Sequence, residues 1–162
     1  MMVPVQSIII PEYVNLAKLG FVNTYLGAVL VYAAIGTPFS TFLMTTFFRG
    51  FPEELVEAGR CDGLTFFGVF RRLAIRLAGP ALATIVVLQF IPIWNDLLIG
   101  LIFLQEPSTR TFTVGLGVLE SSRLVSLPGL MAAALLSTIP AATVYVVFQR
   151  YLVVGLTLGA TK

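Results

Sequence analysis

The chain has 162 residues, 57% of them hydrophobic and 11% charged, with ten Lys and Arg against eight Asp and Glu. A mean hydropathy of +0.95 and three long uncharged runs argue against an ordinary soluble domain. The basic residues are scattered among loops and leave no footprint for nucleic acid, and a chain with no histidine and one cysteine lacks typical metal ligand sets.

The uncharged runs extend from Leu19 to Phe48, from Leu77 to Asn95 and from Leu124 to Gln149. Each meets the roughly 20 mainly apolar residues that an α-helix needs to cross a bilayer. The fold class read from this pattern is all-α, a polytopic transmembrane helix bundle with three full spans plus part of another. Residues 1–22 then hold the end of a span and an outer loop, 23–48 a span, 49–76 a cytoplasmic loop and 77–104 a span. Residues 105–127 form an outer loop, 128–149 a span and 150–162 a cytoplasmic tail.

Taken in order, Met1 to Ile10 is apolar but covers only about 15 Å as a helix, half of a roughly 30 Å hydrocarbon core. It lacks the basic start and small-residue cleavage site of a signal peptide, so an N-terminally truncated chain is expected. In the span 23–48, Ala28, Tyr32, Gly36 and Ser40 recur every four residues, which puts small groups and one tyrosine on a shared face. Pro38 removes a backbone hydrogen bond and is expected to bend this helix.

The loop that follows is the most charge-dense part of the chain: five of the eleven residues from Glu53 to Gly63 are Glu, Arg or Asp. Pro52 suits a first helical position, and Glu53 and Glu54 fall in the first turn, where acids favour the positive end of the helix dipole. Asp62-Gly63 reads as a stop and turn, and Thr65 as the cap of a second helix from about Phe66 to Arg76. Cys61 has no partner for an internal disulfide and is expected to be a reduced thiol in the cytoplasm.

In the span 77–104, Ile91-Pro92-Ile93-Trp94-Asn95-Asp96 carries the one carboxylate of an otherwise apolar run. An acid within a membrane is a candidate for function, since lipid disfavours its charge. The competing reading is an interfacial acid, or one capping a broken helix beside Trp94; counting from Leu77 places Asp96 about 28 Å across, near the far side. In the last span Gly129, Ala133, Ser137 and Ala141 are four apart, the spacing of a closely packed helix face.

Several of these segments share a resemblance. Glu57-Ala58-Gly59, followed by Asp62-Gly63 and the Phe66–Arg76 run, resembles the EAA loop of permease subunits in binding-protein-dependent ABC importers. Gly59 replaces the usual second Ala, and the Pro often found where Arg76 stands is missing, although Pro80 follows. Ile10-Pro11-Glu12-Tyr13, Trp94-Asn95-Asp96, Thr111–Gly117 and the tail Gln149–Lys162 are similar to segments in the same order of maltose-type sugar-importer permeases. The resemblance covers nearly the whole chain. It implies a permease for a carbohydrate or related polyol, working with a second permease subunit, an ATP-binding cassette ATPase dimer and an extracytoplasmic solute-binding protein. It also implies that Glu53, Glu54, Glu57, Ala58, Gly59, Asp62 and Gly63 couple to the ATPase, with Trp94, Asn95 and Asp96 as a possible translocation path. An inactive fragment, or a permease for a non-sugar solute, is the alternative.

Orientation follows from charge alone. The central loop and the tail share a side, which holds Arg49, Arg60, Arg71, Arg72, Arg76, Arg150 and Lys162, whereas Lys18, Arg110 and Arg123 lie opposite. Seven basic residues against three put the loop and C-terminus in the cytoplasm, and the resemblance implies the inner or plasma membrane. No Gly-rich phosphate loop is present, so ATP hydrolysis is expected of a partner, and no cofactor is called for. The few acids argue against a paired-carboxylate active site, and isolated Ser, Thr and Asn make a poor lining for a passive pore.

Overall fold

The computed structural model describes residues 4–122 and 126–158, and among these every regular element is helical. In order they are α1 (Val5–Lys18), α2 (Tyr25–Arg49), α3 (Glu53–Cys61), α4 (Phe66–Val69), a π turn (Phe70–Ala74) and α5 (Ile75–Leu77). Then come α6 (Gly79–Trp94), α7 (Leu98–Phe103), α8 (Phe112–Ser122) and α9 (Leu127–Leu158). Met1–Val3, Arg123–Val125 and the tail end Gly159–Lys162 lie outside the described residues.

Two helical segments, Tyr25–Arg49 and Leu127–Tyr151, are long and apolar enough to cross a membrane. A third is available if Phe66–Leu77 and Gly79–Trp94 count as one segment bent by 61°. The bend sits at Ala78, just before Gly79-Pro80. Pro80 has no N–H for the carbonyl of Arg76, and it disfavours helical geometry in the residue before it. Pro38 lies inside α2, which remains one continuous helix.

The chain forms two compact units, and three long helices contribute a part to each. The first unit comprises Met1–Thr37 and Phe90–Thr143. Its core gathers Ile9 and Leu16 from α1, Val31 from α2, and Ile99 and Phe103 from α7, with Phe103 wholly enclosed. Here α1 continues through Pro11 to Lys18. It ends where Gly20 takes a left-handed φ of +74° and the Phe21 N–H returns to the Leu16 carbonyl at 2.9 Å. The second unit comprises Pro38–Gln89 and Val144–Lys162 and contains the charged loop.

Candidate functional site

The loop is built from two helices and a turn. Glu53 and Glu54 occupy the first turn of α3, and Pro52 sits one place earlier than expected, as the extended cap residue. At the other end the N–H of Gly63 reaches the Arg60 carbonyl at 2.9 Å and that of Leu64 reaches the Gly59 carbonyl at 3.0 Å. This paired return requires a left-handed residue, and Gly63 supplies it with a φ of +78°. Thr65 then starts the second helix, its hydroxyl accepting from the Gly68 N–H at 3.2 Å.

The two helices close on each other at Gly59, the one buried residue of α3. A methyl group there would meet Leu73 Cδ1 and Val69 Cγ2, each at 3.1 Å. Gly59 therefore permits close approach inside the loop itself. Glu53, Glu54, Glu57, Ala58, Arg60 and Asp62 are exposed, so α3 presents an acidic outer side with Ala58 among the charges. The π turn has a packing reason. Val69 and Ala74 are five residues apart and both buried, which five residues of π-helix bring to one face.

Of Phe66, Phe67, Val69 and Phe70 in the second helix, only Val69 is buried. Phe70 lies in a ring cluster, 6.4 Å from Phe48 and 6.4 Å from Phe67 between centroids, and Phe48 continues it to Phe51 at 6.5 Å.

Trp94, Asn95 and Asp96 lie in the first unit, at a break in the helical path. The stretch 77–104, read as one span, contains α6 ending at Trp94 and a separate α7 starting at Leu98. Pro92 precedes the break, and Asn95 donates back to the Ile91 carbonyl at 2.9 Å. Asp96 closes the start of α7: its Oδ2 accepts from the N–H of Ile99 at 2.9 Å and of Gly100 at 3.1 Å. The same oxygen accepts from the Tyr32 hydroxyl at 3.0 Å. The carboxylate thus satisfies orphan amides and faces the positive end of a short helix, the capping arrangement weighed against a transport role.

Trp94 ties the break to its neighbours. Its indole N–H donates to the Ser137 carbonyl on α9 at 2.9 Å, and its own carbonyl accepts from the Thr113 hydroxyl on α8 at 2.6 Å. Its ring stacks on Phe90 with centroids 5.7 Å apart. Gly100 lets α7 and α8 approach, since a methyl group there would stand 2.6 Å from Val114 Cγ2. Sequence reasoning missed Asn23, which has a left-handed φ of 60° and a side-chain oxygen accepting from the Gln105 N–H at 2.7 Å. Its position before Thr24, the residue whose hydroxyl accepts from the Gly27 N–H at 3.1 Å, was the available signal.

Among the described residues no group of three or more His, Cys, Asp or Glu side chains is placed to hold a metal ion.

Residues 1–157 match the family described as binding-protein-dependent transport system inner membrane component. Over 162 residues the chain is 33% identical to the Arabinooligosaccharides transport system permease protein AraQ of Halalkalibacterium halodurans, covering all of this chain and 57% of the relative. It is 34% identical to the Osmoprotective compounds uptake permease protein GgtD of Synechocystis sp., covering all of this chain and 55% of the relative. It is 32% identical to the Melibiose/raffinose/stachyose import permease protein MelC of Bacillus subtilis, covering all of this chain and 59% of the relative. The chain thus spans between 55% and 59% of the length of these relatives. With its apolar helices and a match over residues 1–157, the chain is a multi-pass membrane protein that belongs to the family of binding-protein-dependent transport system inner membrane components.

Proposed function

We propose that the chain serves as a permease subunit of an ATP-driven importer for a carbohydrate or related polyol. The observation that carries this reading is the loop Glu53–Leu77, an acid-bearing helix closed on a second helix at Gly59. Such a unit is stiff enough to transmit a push, and it exposes Ala58 and the three Glu side chains to a docking partner. In this reading the partner is a dimer of ATP-binding subunits, and a second permease and an external solute-binding protein complete the assembly. The seven-to-three distribution of basic residues supports a cytoplasmic loop and C-terminus.

Trp94 and Asp96 spend their polar groups on holding the helical break, so their part in translocation is to keep the shape of a path. Asn95 is exposed, and its amide is the group of the three best able to meet a passing hydroxyl. The names of two relatives, covering arabinooligosaccharides and melibiose, raffinose and stachyose, support the carbohydrate class. A non-sugar solute is the second reading, favoured by the relative named for osmoprotective compounds.

The test is transport by the assembled system, with its ATPase, second permease and binding protein in vesicles. Uptake of labelled oligosaccharides should be ATP-dependent, and cysteine at position 58 in place of Ala58 should cross-link to the ATPase. Absence of both in an intact assembly overturns the proposal.

A further inference from the structure

The two helices of the loop divide its charge. The α3 helix and its cap carry Glu53, Glu54, Glu57 and Asp62 against Arg60 alone, whereas Phe66–Leu77 carries Arg71, Arg72 and Arg76 and no acid. The basic helix is also the apolar one. Phe66 and Phe67 are 77% and 69% exposed, and Phe70, Ile75 and Leu77 are exposed beside them. One element therefore shows water an acidic side, and the next shows aromatic rings and guanidiniums together.

Resting on the cytoplasmic placement proposed above, we infer that Phe66–Leu77 lies along the inner surface of the bilayer and binds anionic glycerophospholipid there. Three observations point this way. Three arginines in this short segment exclude it from the hydrocarbon core, so the bent pair is not one continuous span. The bend of 61° at Ala78 turns the helix away from the axis of α6. With α6 near the usual tilt of about 20° from the bilayer normal, that bend favours a course closer to the membrane plane. Finally, the exposed side has the makeup of an interfacial helix, with rings to enter the acyl boundary and arginine stems long enough to reach phosphates.

The neighbouring surface continues the site. Phe70 packs on Phe48, and Phe48 with Met44, Leu82 and Ile85 lines an open groove of about 670 Å³ that Arg49 borders. Apolar walls with a cation at the rim fit an acyl chain below a phosphate. Basic residues near an anionic surface each favour binding by about fivefold, so Arg71, Arg72 and Arg76 together select strongly for anionic over zwitterionic lipid. The site joins coupling to the lipid: the basic helix holds the base of the loop against the bilayer, and the acidic helix faces the partner.

The experiment uses the whole transporter in vesicles of mixed phosphatidylglycerol and phosphatidylcholine, with a photoreactive phenylalanine analogue at position 67. Illumination should give lipid adducts enriched in phosphatidylglycerol at least threefold over its mole fraction. Arg71→Gln, Arg72→Gln and Arg76→Gln combined should abolish the enrichment, and the corresponding three Lys replacements should keep it. Adducts to a protein subunit, adducts in the bulk lipid ratio, or no adducts at all would overturn the inference. Labelling of Cys61 by an impermeant thiol reagent in intact cells carrying the same transporter reports the side of the loop. An outward loop defeats the functional reading, whereas an inward loop without lipid selectivity defeats this inference alone.

Discussion

The hydroxyl of Tyr32 on α2 donates to the carboxylate of Asp96 at 3.0 Å, across 64 positions of sequence, and that same oxygen caps α7. One acceptor thus fastens α2 to the break between α6 and α7. Asp96→Ala should lower the stability of the assembled permease by about 2–4 kcal/mol, from the lost cap and the tyrosine left without an acceptor. Tyr32→Phe should cost about 1 kcal/mol. Asp96→Asn retains an acceptor and should fall between them. Denaturation of the purified assembly followed by far-UV circular dichroism measures all three, and a charge-specific transport role would appear instead as lost uptake in Asp96→Asn with stability unchanged.

At Gly59 a new methyl group would lie 3.1 Å from the end of Leu73 and 3.1 Å from a branch methyl of Val69, contacts that a shift of a few tenths of an ångström relieves. Gly59→Ala should therefore be tolerated to within about 1 kcal/mol, with the gain in helix propensity offsetting a small shift of Leu73 and Val69. A Gly59→Trp change must push α3 away from the second helix. We expect substrate-stimulated ATPase activity to fall at least tenfold while the protein remains in the membrane, as judged by immunoblotting of membranes beside the activity assay. Normal stimulation in the Trp variant would remove the loop from the coupling route.

Two glycines make contrasting controls in the first unit. A Cβ on Gly100 would be 2.6 Å from a branch methyl of Val114, a residue with no exposed surface. A Cβ on Gly117 would be 2.9 Å from the end of Leu97, which is 44% exposed and free to turn away. Gly100→Ala should cost about 1–3 kcal/mol and Gly117→Ala clearly less. Thermal inactivation of the two variants side by side checks the order, and the reverse order would refute the packing described for α7 against α8.

Cys61 offers a native probe of orientation, being exposed at the end of α3. In intact cells it should resist a membrane-impermeant maleimide and react once the membrane is opened. Labelling in sealed cells would place the loop outside and reverse the orientation drawn from basic residues.

Some of this architecture is legible in the sequence because local chemistry dictates it. Proline, paired glutamates, Asp-Gly and threonine punctuate α3 and α4 within a few residues of each other, and each acts on its nearest backbone groups. The spacing of Ala28, Tyr32, Gly36 and Ser40 marks a shared helix face, and two of its members make polar contacts, Tyr32 with Asp96 and Ser40 with Gln89. Which residues those partners are was not legible, since they lie 64 and 49 positions away and no periodicity encodes the pairing. The break after Trp94 was only half visible. Pro92 and Asn95-Asp96 warn of it, but apolar residues on both sides read the same in a continuous span and in two helices. That Gly59 packs within the loop is not legible either, because composition gives size and not direction.

The π turn at Phe70–Ala74 bears on how the loop can change in length. Five residues there complete about the rotation that four complete in an α-helix, so the flanking segments keep their angular phase. Deleting one residue inside the turn should restore ordinary helix and leave Val69 and the residues after Ala74 on their present sides. Deleting one from the middle of α3 has no such reserve, and it turns everything between the cut and the end of that helix by about 100°. The loop therefore holds one place where the chain can gain or lose a residue without reorienting its neighbours, and that place lies on the basic helix and not on the acidic one.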